Sequence, residues 1–276
     1  MFEAAELGRK LEKHEYDALL PDLRTRLLQA QARLESAGFS VIVLLNGVGG
    51  MADAANRLNE WLDARYLVTE AWTRPSEEEA EHPEFWRYWR WLPPRGRMGL
   101  FLGNWYTRPI VERAEGRSRT SEYEHDLRRI VAFEKTLVDD GTLIVKLWFH
   151  LGKGQQRRRL KTLAKSRATR FKIGRHEWQR LERYAKFRRA SEQAVRETGT
   201  AGSPWHIVEA DDERYRDIEA ARTLLGALEA RLAAVRPEPV HEPEPPAPNP
   251  HTVLDTLDFT SRLDKATYEA RMPALQ

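Results

Sequence analysis

A glycine-bearing loop is the first part of the chain whose residue types could do chemistry. Its polar and glycine positions are Asn46, Gly47, Gly49 and Gly50. A working phosphate loop, G-x-x-x-x-G-K-[ST], cradles phosphates with backbone N–H groups and neutralises them with its lysine. Here Met51 follows the glycines, and no lysine occurs between Lys13 and Lys135. Taken alone, such a loop is more often a simple turn before a helix.

A strongly basic segment is the second chemical feature. Between Lys153 and Arg189 the chain holds 15 lysines and arginines against two acids, Glu177 and Glu182. The formal net charge of the whole chain is only +3, so the remainder is net negative. An ordinary charge run is a solvated helical face, but so large a positive excess favours contact with a polyanion.

Composition disfavours several classes of protein and site. The 276 residues include no cysteine, which excludes disulfides, cysteine-ligated metal centres and thiol catalysis. The eight histidines lack the H-x₃-H and H-E-x-x-H spacings of metal sites, so we assign no metal ligand. No apolar run is long enough to span a membrane, and the N-terminus lacks the apolar core of a signal peptide. We therefore expect a cytoplasmic protein.

The hydrophobic pattern that must position these features alternates strands with helices. It predicts helices over 10–34, 52–62, 77–91, 123–139 and 215–235, and strands over 39–45, 66–71, 98–102, 142–149 and 205–208. The strand 39–45 is apolar on both faces, which is typical of a parallel sheet covered by helices. The expected fold is α/β, with a parallel sheet of about five strands and a mostly helical basic segment.

The chain divides at a proline-rich stretch. Residues 237–250 hold seven prolines, which predicts an extended linker. After it, Leu263–Leu275 repeats the pattern of Leu11–Leu23, L-acid-K-x-x-Y-acid-A-x-x-P-x-L, at a constant offset of 252 residues. We expect a domain over 1–235, a linker over 236–252 and the start of a truncated second repeat over 253–276.

Blocks in order along nearly the whole chain carry a family resemblance. The blocks are Val41–Val48, Leu58–Asp63, Phe85–Pro94, Gly103–Tyr106, Val111–Arg113, Val145–His150 and Ser203–Asp212. On them the sequence resembles the polyphosphate kinase 2 family, and most closely the first domain of its two-domain polyphosphate:AMP phosphotransferases. The resemblance implies a P-loop kinase-like three-layer α/β fold with a basic helical lid. It also implies Mg²⁺-dependent phosphoryl transfer between inorganic polyphosphate and nucleotides such as AMP and ADP.

Two motifs of that family are altered in this sequence. The family's loop resembles G-x-D-A-A-G-K-G, and Met51 stands where its lysine would be. The next motif resembles D-R-S-W-Y-N-R, and here Leu102 replaces the metal-binding Asp and Gly103 the arginine after it. Phosphoryl transfer depends on positioning and charge neutralisation, so we expect an impaired domain with no metal site of its own. Arg57, inside the following helix, is a candidate substitute for the lysine.

Cations that would face polyphosphate are retained. The resemblance and the basic segment assign polyphosphate binding to Arg74, Arg87, Arg90, Arg108, Arg113, Arg157, Arg158, Lys161, Arg170 and Lys172. Guanidinium groups bind phosphate oxygens in a bidentate manner. Two roles stay open for Asp211 and Asp212, a helix cap and a contact with a nucleotide. We expect the domain to pair with a second repeat or with another copy of itself.

Three functions stay open from the sequence. The first is a catalytically impaired half that binds polyphosphate or acts as a scaffold. The second is an active polyphosphate-dependent nucleotide kinase. The third is a nucleic-acid-binding module, served by the basic segment and the aromatic residues of 85–91. No RNA- or DNA-binding motif is present and the acidic remainder would repel a duplex, so nucleic acid is the least favoured partner. Core packing is the favoured role of the aromatic residues.

Overall fold

A parallel sheet organises the chain, which this computed structural model describes over residues 1–234, 257–258, 260 and 262–272, except for the side chains of Lys172 and His176. Within those residues the sheet has five strands in the order β2-β3-β1-β4-β5, and all neighbouring pairs are parallel. The strands are β1 (Val41–Gly47), β2 (Leu67–Ala71), β3 (Met98–Leu102), β4 (Leu143–His150) and β5 (Trp205–Glu209). The predicted α/β sheet and each of its strands are confirmed.

Helices connect the strands and cover both faces of the sheet. They are α1 (Lys13–Ala37), α2 (Met51–Trp61), α3 (Glu77–Glu81), α4 (Trp86–Trp89), α5 (Thr107–Glu115), α6 (Thr120–Asp139), α7 (Lys153–Lys165), α8 (Arg175–Glu182), α9 (Tyr184–Thr198), α10 (Glu213–Ala233) and α11 (Lys265–Arg271). The prediction of one helix over 77–91 is wrong. Pro83 forces His82 into an extended conformation, with ψ of 161°, and thereby separates α3 from α4. Helix α5 was not predicted.

The two faces of the sheet carry separate cores, as the period-two alternation of a strand requires. On one face Val41, Val43 and Leu45 pack under α1, α2 and α10. On the other face an aromatic cluster packs under α5, α6 and α9, and Phe85 joins it by stacking on Phe133 at 4.4 Å. Part of the aromatic segment therefore packs in the core, as expected. Trp89 and Trp91 of that segment are instead about half exposed.

A buried ion pair ties β4 to the aromatic side of the fold. Lys146 Nζ donates to Glu134 Oε2 at 2.7 Å and to the carbonyl oxygen of Thr198 at 2.7 Å. The same carboxylate accepts hydrogen bonds from Trp105 Nε1 at 3.0 Å and from the Tyr106 hydroxyl at 2.7 Å. Burial lowers the pKa of Lys146, and Glu134 opposes that shift. The pair fixes β4 against α6, α9 and the segment that follows β3.

Residues 1–234 form one compact unit, and α11 belongs to a second. Helix α11 begins at Lys265, which stands 252 residues after Lys13, the first residue of α1. Leu11 packs against the core, whereas the matching Leu263 is 57% exposed. The two similar sequence segments thus start their helices at equivalent residues. The predicted linker lies outside the described residues, and the second repeat stays a prediction.

The elements that carry the predicted site meet at one edge of the sheet. The glycine loop follows β1, Gly103 follows β3, helix α7 follows β4 and Asp211 follows β5. In a parallel sheet these positions all lie at the carboxyl ends of the strands, where open α/β folds bind ligands. Among the described helices, none is long and apolar enough to cross a membrane.

Candidate functional site

The glycine loop turns tightly from β1 into α2. Gly47 and Gly50 have φ values of +128° and +78°, which favour glycine. A Cβ atom at Gly47 would lie 2.1 Å from the carbonyl oxygen of Phe149, so no side chain fits there. The Val48 N–H donates to that same oxygen at 3.0 Å, which fixes the loop to β4. Gly50 is the N-cap of α2, so the free N–H groups of the first helical turn face the loop.

The three altered motif positions carry no catalytic side chain. Met51 and Leu102 are partly buried and pack against the core beneath α2. Gly103 has a φ of +64°, and a Cβ atom there would lie 2.0 Å from the carbonyl oxygen of Trp72. An arginine at this position therefore conflicts with the backbone that follows β2. Neither a loop cation nor a carboxylate is supplied from these residues.

In phosphoryl-transfer sites Mg²⁺ is held by one or two carboxylates together with water and the substrate phosphates. The described part of the chain contains no cluster of three acidic or histidine side chains able to hold a metal. Asp212 caps α10 by accepting a hydrogen bond from the Tyr215 N–H at 2.8 Å. Asp211 pairs with Arg158 of α7 at 3.2 Å. Asp211, like Asp53 of α2, is thus paired with an arginine, so neither offers an unpaired carboxylate to Mg²⁺. Asp212 is the helix cap that was one of its two expected roles.

Arg216 of α10 lies against the loop. A Cβ atom at Gly50 would lie 2.7 Å from Arg216 Cδ and 2.8 Å from Nη1. The arginine is only 2% exposed. Its Nε donates to Asp217 Oδ1 at 2.8 Å, and Nη2 lies 2.8 Å from the same oxygen. Nη1 has no hydrogen-bond acceptor among the described residues, and the Asp53 carboxylate lies 3.7 Å from it.

The candidate substitute Arg57 is bound elsewhere. Its Nη1 donates to Glu60 at 2.6 Å and its Nε to Asp217 at 3.4 Å. Burial raises the pKa of Asp217, and the neighbouring arginines 216 and 57 oppose that shift. Carboxylates therefore already hold the guanidinium of Arg57, the candidate substitute for the loop lysine. Arg216, by contrast, lies against the loop at Gly50.

Helix α7 reaches the loop through Arg159. Its Nη2 donates to Asp53, in the first turn of α2, at 2.5 Å. Leu151, just before α7, is buried, and its Cδ1 lies 2.2 Å from the place of a Cβ atom at Gly49. The basic helix and the glycine loop are thus neighbours at the carboxyl edge of the sheet.

The other cations predicted on the basic segment are exposed: Arg157, Arg158, Lys161 and Arg170. Arg158 is paired with an aspartate, as described above. Arg157, Lys161 and Arg170 have no carboxylate within 4 Å in the part of the chain that the structure describes. The side chain of Lys172 lies outside that part. Three exposed cations of the basic segment are therefore available to a polyanion.

The remaining predicted arginines are mostly engaged within the protein. Three of them bind side chains or carbonyl groups of the fold: Arg87, Arg108 and Arg113. Arg87 is buried and pairs with Glu79 at 3.2 Å, and Arg108 pairs with Glu112 at 2.9 Å. The Arg90 guanidinium lies 4.7 Å from the centroid of the Trp86 ring, and Arg74 is exposed after β2. Three of these five arginines are therefore engaged within the fold, and polyphosphate binding by the set stays a prediction.

Comparison with known proteins places this arrangement in a family. The family model described as polyphosphate kinase 2 (PPK2) matches residues 10–236. The chain belongs to the polyphosphate kinase 2 family. It is 38% identical over 282 residues to a polyphosphate:AMP phosphotransferase of Pseudomonas aeruginosa, a match that spans 100% of this chain and 57% of that protein. A GDP-polyphosphate phosphotransferase of Mycobacterium tuberculosis is 29% identical over 228 residues, which cover 82% of this chain and 77% of that protein.

Solved structures of this polyphosphate kinase 2 family have the same fold. A polyphosphate kinase 2 from Pseudomonas aeruginosa superposes with a TM-score of 0.77 at 37% identity, over 99% of this chain and 54% of that chain. A polyphosphate kinase 2 from Arthrobacter aurescens gives a TM-score of 0.77 at 25% identity, over 86% of both chains. The resemblance and the P-loop kinase-like fold expected from the sequence are confirmed. The chain spans a little over half the length of the polyphosphate:AMP phosphotransferases that it matches.

Proposed function

We propose that this domain binds inorganic polyphosphate and is impaired in phosphoryl transfer, so that it acts as the binding or scaffolding half of a polyphosphate:AMP phosphotransferase. One observation carries the proposal. Helix α7 reaches the glycine loop through Arg159 and carries further exposed cations, while Met51 and Leu102 turn apolar side chains into the core where the family motif has its cation and its carboxylate.

The expected catalytic loss is large. Phosphoryl transfer is catalysed by positioning and by neutralising charge on the transferring group. One preorganised electrostatic contributor is worth about 2.7–4 kcal/mol of transition-state stabilisation, or roughly 100- to 1000-fold in rate. Two contributors are missing, at residues 51 and 102, and their losses need not add. Turnover by this domain is therefore expected to be lower by at least the single-residue factor.

Polyphosphate binding places fewer requirements on the domain than phosphoryl transfer does. A polyphosphate chain repeats its charge along its length, so separate cations can each neutralise one phosphate. Arg157, Lys161 and Arg170 present exposed charges that no described carboxylate neutralises. Each phosphate neutralised on a single-stranded polyanion releases counterions and adds about 0.7 to the slope of log K against log salt.

The scaffolding role rests on the repeat. Helix α11 starts at the residue equivalent to the start of α1, and the matched phosphotransferases are longer than this chain. The chemistry would then belong to a second repeat, or the domain would pair with another copy of itself.

A salt series tests the binding proposal. Affinity for long-chain polyphosphate is measured at several salt concentrations for the wild type, for Arg157→Gln/Lys161→Gln, and for Arg33→Gln as control. Arg33 is exposed near the end of α1, at the opposite edge of the sheet from the loop. The double variant should lower the slope by about 1.4 and the control should leave it nearly unchanged. Equal slopes for all three proteins would contradict polyphosphate binding on α7.

Turnover and competition separate the other two functions. ADP formation from AMP and polyphosphate is measured with Mg²⁺ at high concentration of the chain alone, beside a Met51→Lys/Leu102→Asp variant. Turnover by the unmodified chain that equals or exceeds that of the variant would refute the impairment. A single-stranded oligonucleotide that displaces polyphosphate at equal phosphate concentration and matched salt would instead favour the nucleic-acid function.

A further inference from the structure

A buried arginine with a free donor lies at the glycine loop. Arg216 is almost fully buried, its Nε donates to Asp217 Oδ1, and its Nη2 lies 2.8 Å from the same oxygen. Nη1 has no acceptor within the described residues, and it would lie 2.8 Å from a Cβ atom at Gly50. A buried donor without an acceptor costs free energy, and the cost is greater for a charged group. This donor is therefore placed where an anion at the loop could accept its hydrogen bond.

The loop supplies a second attraction for the same anion. Gly50 caps α2, whose first-turn N–H groups and helix dipole favour negative charge at this end. The missing side chain and the left-handed conformation of Gly50 are what admit Arg216, because any Cβ atom would contact the arginine. Two independent observations, the free Nη1 and the helix N-terminus, thus point to the same place.

The Asp53 carboxylate would compete with such an anion for Arg216. It belongs to the first turn of α2 and lies 3.7 Å from Arg216 Nη1. Arg159 of α7 donates to the same carboxylate. Two arginines therefore converge on one carboxylate at the mouth of the loop. Asp53 and Arg216 also line a surface cavity of about 260 Å³, together with Asn56, Arg57 and two further carboxylates, Glu60 and Glu213.

We propose that Arg216 is the cation of the glycine loop and binds a phosphoryl group there in exchange for Asp53. This inference rests on the proposed function, because the phosphoryl group would belong to an oligophosphate chain that α7 also contacts. The cation comes from α10 rather than from the loop itself. The group recognised would be a dianionic phosphoryl group, which an inorganic oligophosphate or a nucleotide could supply.

Titration calorimetry with inorganic tripolyphosphate and, separately, with AMP tests this assignment. The proteins are the wild type, Arg216→Gln, Asp53→Asn and the control Arg222→Gln, which removes the same charge from an exposed position of α10. Arg216→Gln should weaken binding of the cognate probe by about 10- to 100-fold, the effect of losing one charge-assisted hydrogen bond. Asp53→Asn should tighten it severalfold, and Arg222→Gln should leave it within about twofold. The probe that responds identifies the source of the phosphoryl group.

The outcomes separate this inference from the proposed function. If the wild type fails to bind long-chain polyphosphate, the proposed function fails first. If it binds, and both probes bind the wild type and Arg216→Gln equally, the role of Arg216 is refuted while the function stands. If Arg216→Gln does not fold, as circular dichroism would show, Asp53→Asn decides alone. Tighter binding then supports the exchange, and unchanged or weaker binding refutes it.

Discussion

Replacing Lys146 with methionine should strongly destabilise the fold, because it leaves a carboxylate buried without its counter-charge. Both partners are essentially inaccessible to solvent, with the Lys146 side chain 0% and the Glu134 side chain 2% exposed. The substitution keeps most of the side-chain volume and removes two short hydrogen bonds. It leaves Glu134 with hydrogen bonds from Trp105, Tyr106 and Ser203, which are all neutral donors.

The magnitude follows from that geometry. Removing one partner of a buried ion pair costs about 3–5 kcal/mol, since the remaining charge stays desolvated. The free energy of unfolding should therefore fall by roughly that amount in Lys146→Met. In Lys146→Met/Glu134→Leu the charge is gone, and the residual cost comes from neutral donors that lose their acceptor, at about 1–3 kcal/mol each. The double variant should then lose less than the sum of the two single variants, with a coupling of about 0.5–3 kcal/mol.

Urea unfolding followed by tryptophan fluorescence measures these free energies, since Trp105 and Trp148 are buried in the same cluster. The measurement needs the wild type, both single variants and the double variant, with the slope against urea compared among them to check that the unfolding reaction is unchanged. A loss below about 1 kcal/mol in Lys146→Met would refute the reasoning, because that size is typical of an exposed ion pair. Additive single-variant losses would also refute it.

Two further predictions concern the edge of the sheet. Gly103→Ala should destabilise the fold by about 1–3 kcal/mol, because a Cβ atom at a φ of +64° meets the Trp72 carbonyl. Gly116→Ala has a similar φ of +79° with nothing within 4 Å, so it should cost less, and thermal melts of both compare backbone strain with and without a clash. Burial lowers the pKa of His150 below its ordinary 6.5, against the opposing effect of Glu6. The unfolded chain therefore takes up the proton first, and the free energy of unfolding should decrease as the pH falls below about 6.5. His150→Gln should flatten this dependence in urea titrations between pH 7 and 5, and an unchanged slope would contradict it.

The strands were predictable because each is rich in apolar residues and lies between turn residues, although polar residues such as Glu70, Lys146 and His206 interrupt three of them. The glycine loop was predictable for the same reason, since its place is fixed by the strand before it and the helix after it. Helix α5 escaped prediction because Pro109 stands near its start and the preceding Trp105 and Tyr106 read as strand or loop. Pro83 indicates the break before α4. The prediction of one helix over 77–91 instead followed the helical spacing of the aromatic residues.

The cations of the site were less predictable than the loop. Arg87 and Arg108 look like free cations in the sequence, but tertiary packing brings Glu79 and Glu84 to them. One feature of the sequence indicates that Arg216 is buried. It lies four residues, or about one helical turn, before Ala220, so both residues are on the apolar face of α10. Its position at Gly50 depends on a contact across more than 160 residues, and no local pattern reports such a contact.

The altered motifs and the position of Arg216 lead to the same conclusion about catalysis. A loop lysine is flexible and can follow a phosphoryl group as it moves between donor and acceptor, whereas Arg216 is buried and held by Asp217. A fixed cation stabilises a phosphate that stays in place better than a phosphoryl group that moves during transfer. Catalysis, however, needs interactions that are stronger in the transition state than in the ground state. The substitution Met51→Lys restores the lysine of the family motif and adds a second cation beside Arg216. The substitution Gly103→Arg is opposed by a clash with the Trp72 carbonyl oxygen. Phosphoryl transfer is therefore expected to stay low in either single variant. Each variant changes one position, whereas the proposed phosphate site depends on the backbone after β2 and on Arg216 of α10 as well as on the loop.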